Sequence, residues 1–138
     1  DEGFARAGAG KSTKTFDIAV GVAVIVGDDV QACLDRVKPQ LALYIGGMGA
    51  RGKNFYNDLM SRYGYEAEAR AIQDAFLDRR QRDAAGLVPD AFVDEVALVG
   101  PKERIRDRLA AWRESGATTL LVSTRDVGTV RGLAEIAL

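Results

Sequence analysis

The sequence predicts an α/β fold, in which parallel strands alternate with amphipathic helices. The first observation is the segment Phe16–Val26, which is apolar on both alternating faces after Asp17. That pattern is typical of a strand buried on two sides of a parallel sheet. The second observation is a shorter apolar segment, Ala117–Ser123, which follows an amphipathic helix and a glycine. We therefore expect two principal strands, parallel and adjacent, with most other ordered residues helical.

The composition is that of an ordinary globular protein. The 138 residues suffice for one domain or for a piece of a larger one, and 19 basic residues are balanced by 20 acidic ones. The net charge of −1 gives no electrostatic support for binding nucleic acid or an anionic membrane. No apolar run approaches the ~20 residues that span a bilayer, and no secretory signal opens the chain. We therefore expect a soluble cytoplasmic protein with neither nucleic-acid nor membrane partners.

Two residue counts limit the chemistry of the chain. Histidine is absent, so a catalytic histidine, a triad base or a histidine metal ligand must come from outside these residues. The single cysteine, Cys33, excludes an internal disulfide and a cysteine metal cluster. We expect no metal site here.

Residues 1–15 are interpreted as an exposed helical tail and a loop. Within them Ala5–Ser12, ARAGAGKS, matches a relaxed form of the phosphate-binding loop. A working loop of this kind follows a buried strand and opens a helix. Here the buried strand comes after the motif, so we interpret the motif as an ordinary loop. Nucleotide binding abolished by Lys11→Ala would reinstate a nucleotide hydrolase as a hypothesis.

Residues 16–45 form a predicted strand–helix unit. The strand is followed by Asp28 and Asp29, either of which can cap a helix. The apolar stripe of that helix has spacings of three and four residues and consists of Val30, Cys33, Leu34, Val37, Leu41 and Tyr44. Because Cys33 lies on this stripe, we interpret it as a core thiol. Pro39 is expected to kink or break the helix near its middle.

Residues 46–99 are predicted to be a helical insertion that begins with an unusual loop. Three glycines fall within Gly46–Gly49, and they permit positive φ or a close approach to another surface. Apolar and aromatic residues flank the glycines, which suggests a loop packed over a pocket or a partner. The alternative is a tight helix–helix connection with Tyr44, Phe55 and Tyr56 in the core. The helices expected to follow are Asn54–Tyr63, Glu66–Arg82 and a short one from Pro89 to Val96.

Residues 100–138 are predicted to be a helix–strand–helix unit. Its first helix begins at Pro101 and turns Ile105, Leu109 and Trp112 inward. Gly116 ends that helix, the second strand follows, and a closing helix covers Thr129–Leu138. Two buried strands leave unpaired edges and uncovered faces, so the predicted sheet is incomplete.

The chain resembles the luciferase-like monooxygenase superfamily and, within it, the branch of oxidoreductases that use the deazaflavin coenzyme F-420. The resemblance covers essentially the whole chain, and its most specific part is the Gly-Gly-Met-Gly loop with its Asn-Phe-Tyr continuation. The segments that carry it are DEGFARAG, FDIAVGVAVIVGDD, KPQLALYIGGMGARGKNFY, VDEVALVGPKERIRDRLAAW and GATTLLVS. One departure is GAGKSTKT at Gly8–Thr15, where a more acidic, proline-containing linker is expected.

The resemblance implies that the chain is the C-terminal portion of a (β/α)8 TIM barrel of the bacterial-luciferase type. It would hold the last two barrel strands and the long helical insertion between them, all within one domain. The N-terminal portion of the same barrel would supply most contacts to the cofactor, either coenzyme F-420 or flavin mononucleotide. On this view the fragment holds no catalytic residue and is inactive by itself.

Two groups of residues are candidates for the substrate or cofactor pocket. The first belongs to the glycine loop and consists of Gly46, Gly47, Met48, Arg51, Asn54 and Phe55. Its glycines permit close approach, and its cation and amide could anchor a polar or anionic substrate group. The second follows the last strand and consists of Ser123, Thr124 and Arg125. Hydroxyls and a guanidinium at the end of a barrel strand suit a phosphate or carboxylate, and an ordinary strand-to-helix turn is the alternative.

The leading functional hypothesis is therefore the C-terminal fragment of a coenzyme F-420-dependent or flavin-dependent oxidoreductase or monooxygenase. The intact enzyme would transfer hydride between the deazaflavin and a small organic substrate, and we expect it to be a homodimer. The rival hypothesis is a non-catalytic α/β binding or assembly module derived from such a barrel. An upstream reading frame with further barrel strands would favour the first.

Overall fold

A three-stranded parallel sheet organises the fold. The computed structural model describes residues 2–8, 10–124 and 126–137. The strands are β1 (Ala19–Val26), β2 (Ala97–Gly100) and β3 (Thr119–Val122), in the order β2-β1-β3. β1 pairs with β3 through its first four residues, from Ala19↔Thr119 to Val22↔Val122. It pairs with β2 through its last four, from Ala23↔Ala97 to Val26↔Gly100. Both predicted strands are thus confirmed as parallel neighbours.

The helices alternate with the strands and fill the long interval between β1 and β2. They are α1 (Glu2–Ala7), α2 (Val30–Ala42), α3 (Phe55–Arg62), α4 (Glu66–Leu77), α5 (Gln81–Gly86), α6 (Asp90–Val96), α7 (Lys102–Glu114) and α8 (Val127–Ala137). A 3₁₀ turn covers Thr13–Thr15, and a π-helical segment, Leu43–Gly47, continues α2. None of the described helices combines the length and the apolar character that spanning a membrane requires.

Two apolar clusters cover the two faces of the sheet. On one face Val22 and Val24 of β1 pack with residues of α7 and α8, including Ile105 and Leu109. On the other face the helices of the insertion form a larger cluster around α2. Cys33 belongs to this cluster with only 4% of its surface exposed, which agrees with its interpretation as a core thiol.

α2 passes through Pro39 instead of breaking there. The helix continues to Ala42, and the Leu43 amide donates to the carbonyls of Pro39 and Gln40. Proline leaves the carbonyl of Asp35 without its helical donor. Asp35 and Pro39 both lie on the exposed side of α2, so water can hydrate that carbonyl at little cost. Of the two predicted effects of Pro39, a kink or a break, the break is therefore wrong, and the kink stays a prediction.

The predicted helix Glu66–Arg82 is two helices. α4 ends at Leu77, and Arg79 takes a left-handed backbone conformation with φ +62°. The Arg80 amide donates to Ala75 O and the Arg79 amide to Phe76 O, which is the hydrogen-bond pattern of a Schellman cap. Such caps usually carry glycine, and because Arg79 occupies this position, the end of the helix has no glycine to mark it in the sequence.

Candidate functional site

A cavity of about 720 Å³ opens beside the first half of β1. Its walls come from α2, the π-helical segment, α3, α6 and the end of α7, and they are mainly apolar. The residues most relevant to its shape are Gly21, Tyr44, Tyr56, Tyr63, Phe92 and Trp112. A concave, mostly apolar site with a few polar groups is the usual form of a binding site.

The cavity lies at the amino ends of the strands. Ile18 and Ala117, which precede β1 and β3, both line it. Barrel enzymes instead build their catalytic sites at the carboxyl ends of the strands. The cavity therefore lies at the opposite end of the sheet from the catalytic site of a barrel enzyme.

The loop glycines lie against α4. A Cβ atom built on Gly46 would come within 2.5 Å of Phe76 Cβ, and one on Gly47 would come within 2.5 Å of Phe76 Cε1. The glycines therefore do permit a close approach, and the surface approached is helix α4 of the same chain. Gly46 is buried and Gly47 is exposed.

Asn54 is the N-cap of α3 and is almost fully buried, with 1% of its surface exposed. Its side-chain amide donates to Tyr44 O (3.1 Å) and Ile45 O (2.9 Å). Its side-chain oxygen accepts from the amides of Tyr56 (3.0 Å) and Asn57 (3.3 Å). These four bonds use the donors and acceptors of the side chain, so Asn54 ties the π-helical segment to α3.

The other side chains of the loop group are exposed. Met48 and Phe55 expose 55% and 66% of their surfaces. Phe55 therefore does not lie in the core, as the alternative of a tight helix–helix connection requires. Arg51 Nη2 lies 2.8 Å from Asp74 Oδ1 of α4, in an ion pair open to solvent on both sides. Met48, Arg51 and Phe55 are therefore available to a ligand, although none of them lines the cavity.

The turn after β3 is held by Asp126. Its Oδ1 accepts from the Gly128 amide (3.1 Å), and its Oδ2 accepts from the amide (2.8 Å) and the hydroxyl (2.7 Å) of Thr129. These bonds, led by the one from the Thr129 hydroxyl, hold the pKa of Asp126 below its usual range. The first amides of α8 are thus occupied by a carboxylate of the chain itself.

The predicted group at this turn is only partly described. Ser123 is exposed, and the Thr124 hydroxyl accepts from the Asp126 amide at 3.1 Å. Arg125 lies outside the described residues. Among the described residues, no hydrogen bond or ion pair joins Ser123 or Thr124 to the glycine loop. The structure therefore does not connect the two candidate groups.

Sequence reasoning missed the aromatic residues that shape the cavity. The helical spacing of apolar residues predicts that Tyr44 and Trp112 face inward from their helices. The structure agrees, since both side chains line the cavity. Tyr44 and Tyr56 pack together with ring centroids 4.7 Å apart. The sequence holds one indication of the cavity, the number of tyrosines on either side of the glycine loop. A role of these tyrosines in the core explains their number equally well.

Within the described residues, no cluster of three or more cysteine, aspartate or glutamate side chains could hold a metal ion.

Comparison with curated proteins identifies a relative along nearly the whole chain. A protein of Mycobacterium tuberculosis, provisionally named a coenzyme F-420-dependent oxidoreductase, is 38% identical over 136 residues. The match covers 99% of this chain and 39% of that protein. The chain thus spans about two fifths of the length of its relative.

Comparison with solved structures agrees on the fold. The coenzyme F-420-dependent tetrahydromethanopterin reductase of Methanopyrus kandleri superposes with a TM-score of 0.73 and 18% identity, over 96% of this chain and 37% of that one. At this identity the likeness shows the fold alone, and it confirms the expected α/β fold of the barrel type. The sequence profile described as luciferase-like monooxygenase matches residues 1–119. The chain belongs to the luciferase-like monooxygenase family.

Proposed function

We propose that this chain is the C-terminal portion of a coenzyme F-420-dependent oxidoreductase. The observation that carries the proposal is the 38% identity, over 99% of the chain, to a mycobacterial protein provisionally given that activity. In the complete enzyme, hydride would pass between the deazaflavin and a small organic substrate. Flavin mononucleotide, and with it a monooxygenase reaction, is the alternative cofactor chemistry within the same family.

The sheet supports the proposal that more of the barrel exists. In the described part of the chain β1 has a partner strand along only half of each edge, and β3 has one neighbour. A closed barrel requires every strand to pair on both sides. Since the chain covers 39% of its relative, the remaining strands would come from the remainder of the protein.

The described residues do not by themselves form a site for the cofactor. The cavity lies at the amino ends of the strands, and the first amides of α8, which could hold a phosphate, already bind Asp126. We therefore propose that the N-terminal portion of the barrel makes most cofactor contacts. No side chain of this chain is assigned a step in hydride transfer.

The role proposed for this chain is to close the barrel and to form part of the substrate pocket. Met48, Arg51 and Phe55 are exposed on the glycine loop and would form one wall of that pocket. Ser123 and Thr124 would face an anionic group at the carboxyl end of β3, and Arg125, the third residue predicted for this group, lies outside the described residues. The complete enzyme is proposed to be a cytoplasmic homodimer.

Titration of deazaflavin fluorescence tests the proposal. The isolated 138-residue chain should bind neither coenzyme F-420 nor flavin mononucleotide with micromolar affinity, whereas the protein extended by its upstream barrel strands should bind the deazaflavin. Micromolar binding by the isolated chain would contradict the assignment of the cofactor contacts. An extended protein that binds neither cofactor would favour the rival hypothesis of a non-catalytic assembly module.

A further inference from the structure

A second, polar pocket of about 510 Å³ lies between α3 and α4, beside the glycine loop. The residues that line it recur three or four positions apart on each helix, so they share one side of that helix. α3 contributes Asn57, Asp58 and Ser61, and α4 contributes four residues between Glu66 and Asp74. Among the described residues, none lines both this pocket and the apolar cavity beside β1. The two sites are therefore separate.

Asn57 and Ser61, one turn apart on α3, offer acceptors to the pocket. The Asn57 side-chain amide donates to Ile45 O (3.2 Å) and Ala69 O (2.7 Å), which uses both of its N–H groups. The Ser61 hydroxyl donates to Asn57 O at 2.9 Å. Carbonyl oxygens only accept, so these bonds commit the donors of both side chains to the protein. The described residues place no donor on Asn57 Oδ1 or Ser61 Oγ, and both oxygens remain able to accept.

Gln73 presents a third acceptor from the opposite helix. Only 5% of its surface is exposed, and its Nε2 donates to Gly49 O at 3.3 Å. Nothing in the part of the chain that the structure describes donates to its Oε1, although the side chain lines the pocket. A nearly buried amide oxygen without a donor costs free energy unless a bound molecule supplies one. Gln73 therefore indicates a ligand that carries hydrogen-bond donors.

The lining of the pocket carries one net negative charge. Three carboxylates, those of Asp58, Glu66 and Asp74, face the two guanidiniums of Arg51 and Arg70. Asp74 Oδ1 lies 2.8 Å from both Nε and Nη2 of Arg51, and Glu66 Oε1 lies 3.2 Å from Arg70 Nη2. Within the described chain these pairs leave one oxygen of each carboxylate free and leave Asp58 without an arginine partner. The charge therefore favours a cation.

We infer that this pocket binds a small molecule through a primary ammonium group. An ammonium carries three N–H donors and a positive charge, so it suits the amide and hydroxyl oxygens and the excess carboxylate together. An anion would meet acceptors inside the pocket and would have to displace a carboxylate from an arginine. A metal ion fits less well, since the described carboxylates include no group of three placed to hold one. The volume has room for an alkyl chain, so the ligand class is an alkylamine or a diamine.

Titration of the isotope-labelled chain with diaminobutane, followed by nuclear magnetic resonance, tests the inference. The side-chain amide signals of Asn57 and Gln73 should shift saturably, with a Kd on the order of a millimolar or tighter. Butanediol and succinate are four-carbon controls with neutral and anionic ends, and each should bind at least about tenfold more weakly. Binding of either control as tight as that of the diamine would overturn the inference, and so would the absence of a saturable shift.

Two substitutions change the charge of the pocket in opposite directions. Asp58→Asn removes a carboxylate and should weaken binding of diaminobutane about fivefold, whereas Arg70→Gln removes a cation and should tighten it about threefold. Both side chains are exposed, so both variants should remain folded. Asp107→Asn is the matched control, because Asp107 is an exposed carboxylate of α7 outside the pocket.

The control should leave the affinity for diaminobutane unchanged. Equal affinities in all three variants would overturn the inference, as would shifts that spread over exposed carboxylates such as Asp107 and spare Asn57 and Gln73. Arg51 is kept in every variant, since it borders this pocket and also belongs to the glycine loop. The inference uses only contacts within α3, α4 and that loop, so its failure would leave the proposed function intact.

Discussion

Gly46 and Phe76 lie in direct backbone-to-side-chain contact, because a Cβ atom on Gly46 would come within 2.5 Å of Phe76 Cβ and 3.1 Å of Ile72 O. Neither obstacle is the flexible end of a side chain. Packing against α4 therefore requires at least one glycine of the loop, independently of any role of the loop in binding.

Gly46→Ala should lower the free energy of unfolding by about 1–3 kcal/mol, the usual cost of overpacking. Urea denaturation followed by circular dichroism measures it. Gly86→Ala is the control, since Gly86 closes α5 with open space around its Cβ position and no positive φ. Equal stability of both variants would show that α4 moves aside at no cost.

Asp94 of α6 binds two arginines of α7, Arg104 and Arg108, and Arg104 also binds β2. Arg104 donates to Asp94 Oδ2 at 2.5 Å and to Val99 O at 2.8 Å, and Arg108 donates to the Asp94 carbonyl oxygen. The Asp94 and Arg104 side chains are 24% and 27% exposed, so water screens their attraction only in part.

Asp94→Ala should cost about 2 kcal/mol of stability, because it leaves the Arg104 guanidinium partly buried without its partner. Glu66→Ala provides the comparison, as it removes the exposed pair with Arg70, which is worth about 0–1 kcal/mol. Thermal melts of the two variants should differ clearly. Similar melting temperatures would mean that, without its carboxylate partner, the Arg104 guanidinium is solvated as readily as that of Arg70.

The strands show where local sequence was sufficient and where it was not. β1 was predictable because its eight successive apolar residues make both alternating faces apolar, which is the pattern of a strand in a parallel sheet. β2 was missed because Ala97–Gly100 has only four residues and directly continues the apolar pattern of α6. Its extended conformation depends on pairing with Ala23–Val26, more than seventy positions earlier in the chain.

The cavity was missed for a related physical reason. Its walls combine residues from β1, α2, α3, α6 and α7, and periodicity assigns a residue to the inner side of one helix without saying what faces it. Tyr44 and Trp112 were placed on the inner sides of their helices, and the empty space between those helices is a property of packing. The sequence suggests Asn54 as an anchor for a substrate group because of its amide. In the structure Asn54 directly precedes Phe55–Arg62 and is the N-cap of α3.

Asp17 should make stability depend on pH. Hydrogen bonds from Thr118 and then Thr119 hold the pKa of the Asp17 carboxyl below its ordinary value of 3.8. A depressed pKa in the folded state adds stability above the unfolded pKa, and that stability is lost as the pH falls through the folded pKa. Acidification below about pH 4 should therefore weaken the link between the starts of β1 and β3.

Urea midpoints at pH 7 and pH 3 measure this effect. Asp17→Asn and Thr118→Val should each reduce the loss of stability on acidification relative to the unmodified chain. A residual loss should remain, because hydrogen bonds from Lys38 and Gln31 depress the pKa of Asp90 as well. An unchanged acid dependence in both variants would exclude Asp17 as a contributor.

Arg51 and Asp74 offer a direct test of the pocket role proposed for the glycine loop. Their ion pair is exposed, with 60% and 47% of the side chains accessible, so breaking it should change stability by less than about 1 kcal/mol. Either Arg51→Ala or Asp74→Ala breaks the pair, but only the first removes the cation. If Arg51 anchors an anionic or polar substrate group, Arg51→Ala in the complete enzyme should lower kcat/KM about tenfold or more. Asp74→Ala should leave kcat/KM within about twofold, because the guanidinium remains.

Steady-state kinetics, measured together with melting curves of the same variants, test whether Arg51 has this role in the pocket. Equal kinetics for both variants and the unmodified enzyme would assign Arg51 to the solvated surface of the loop.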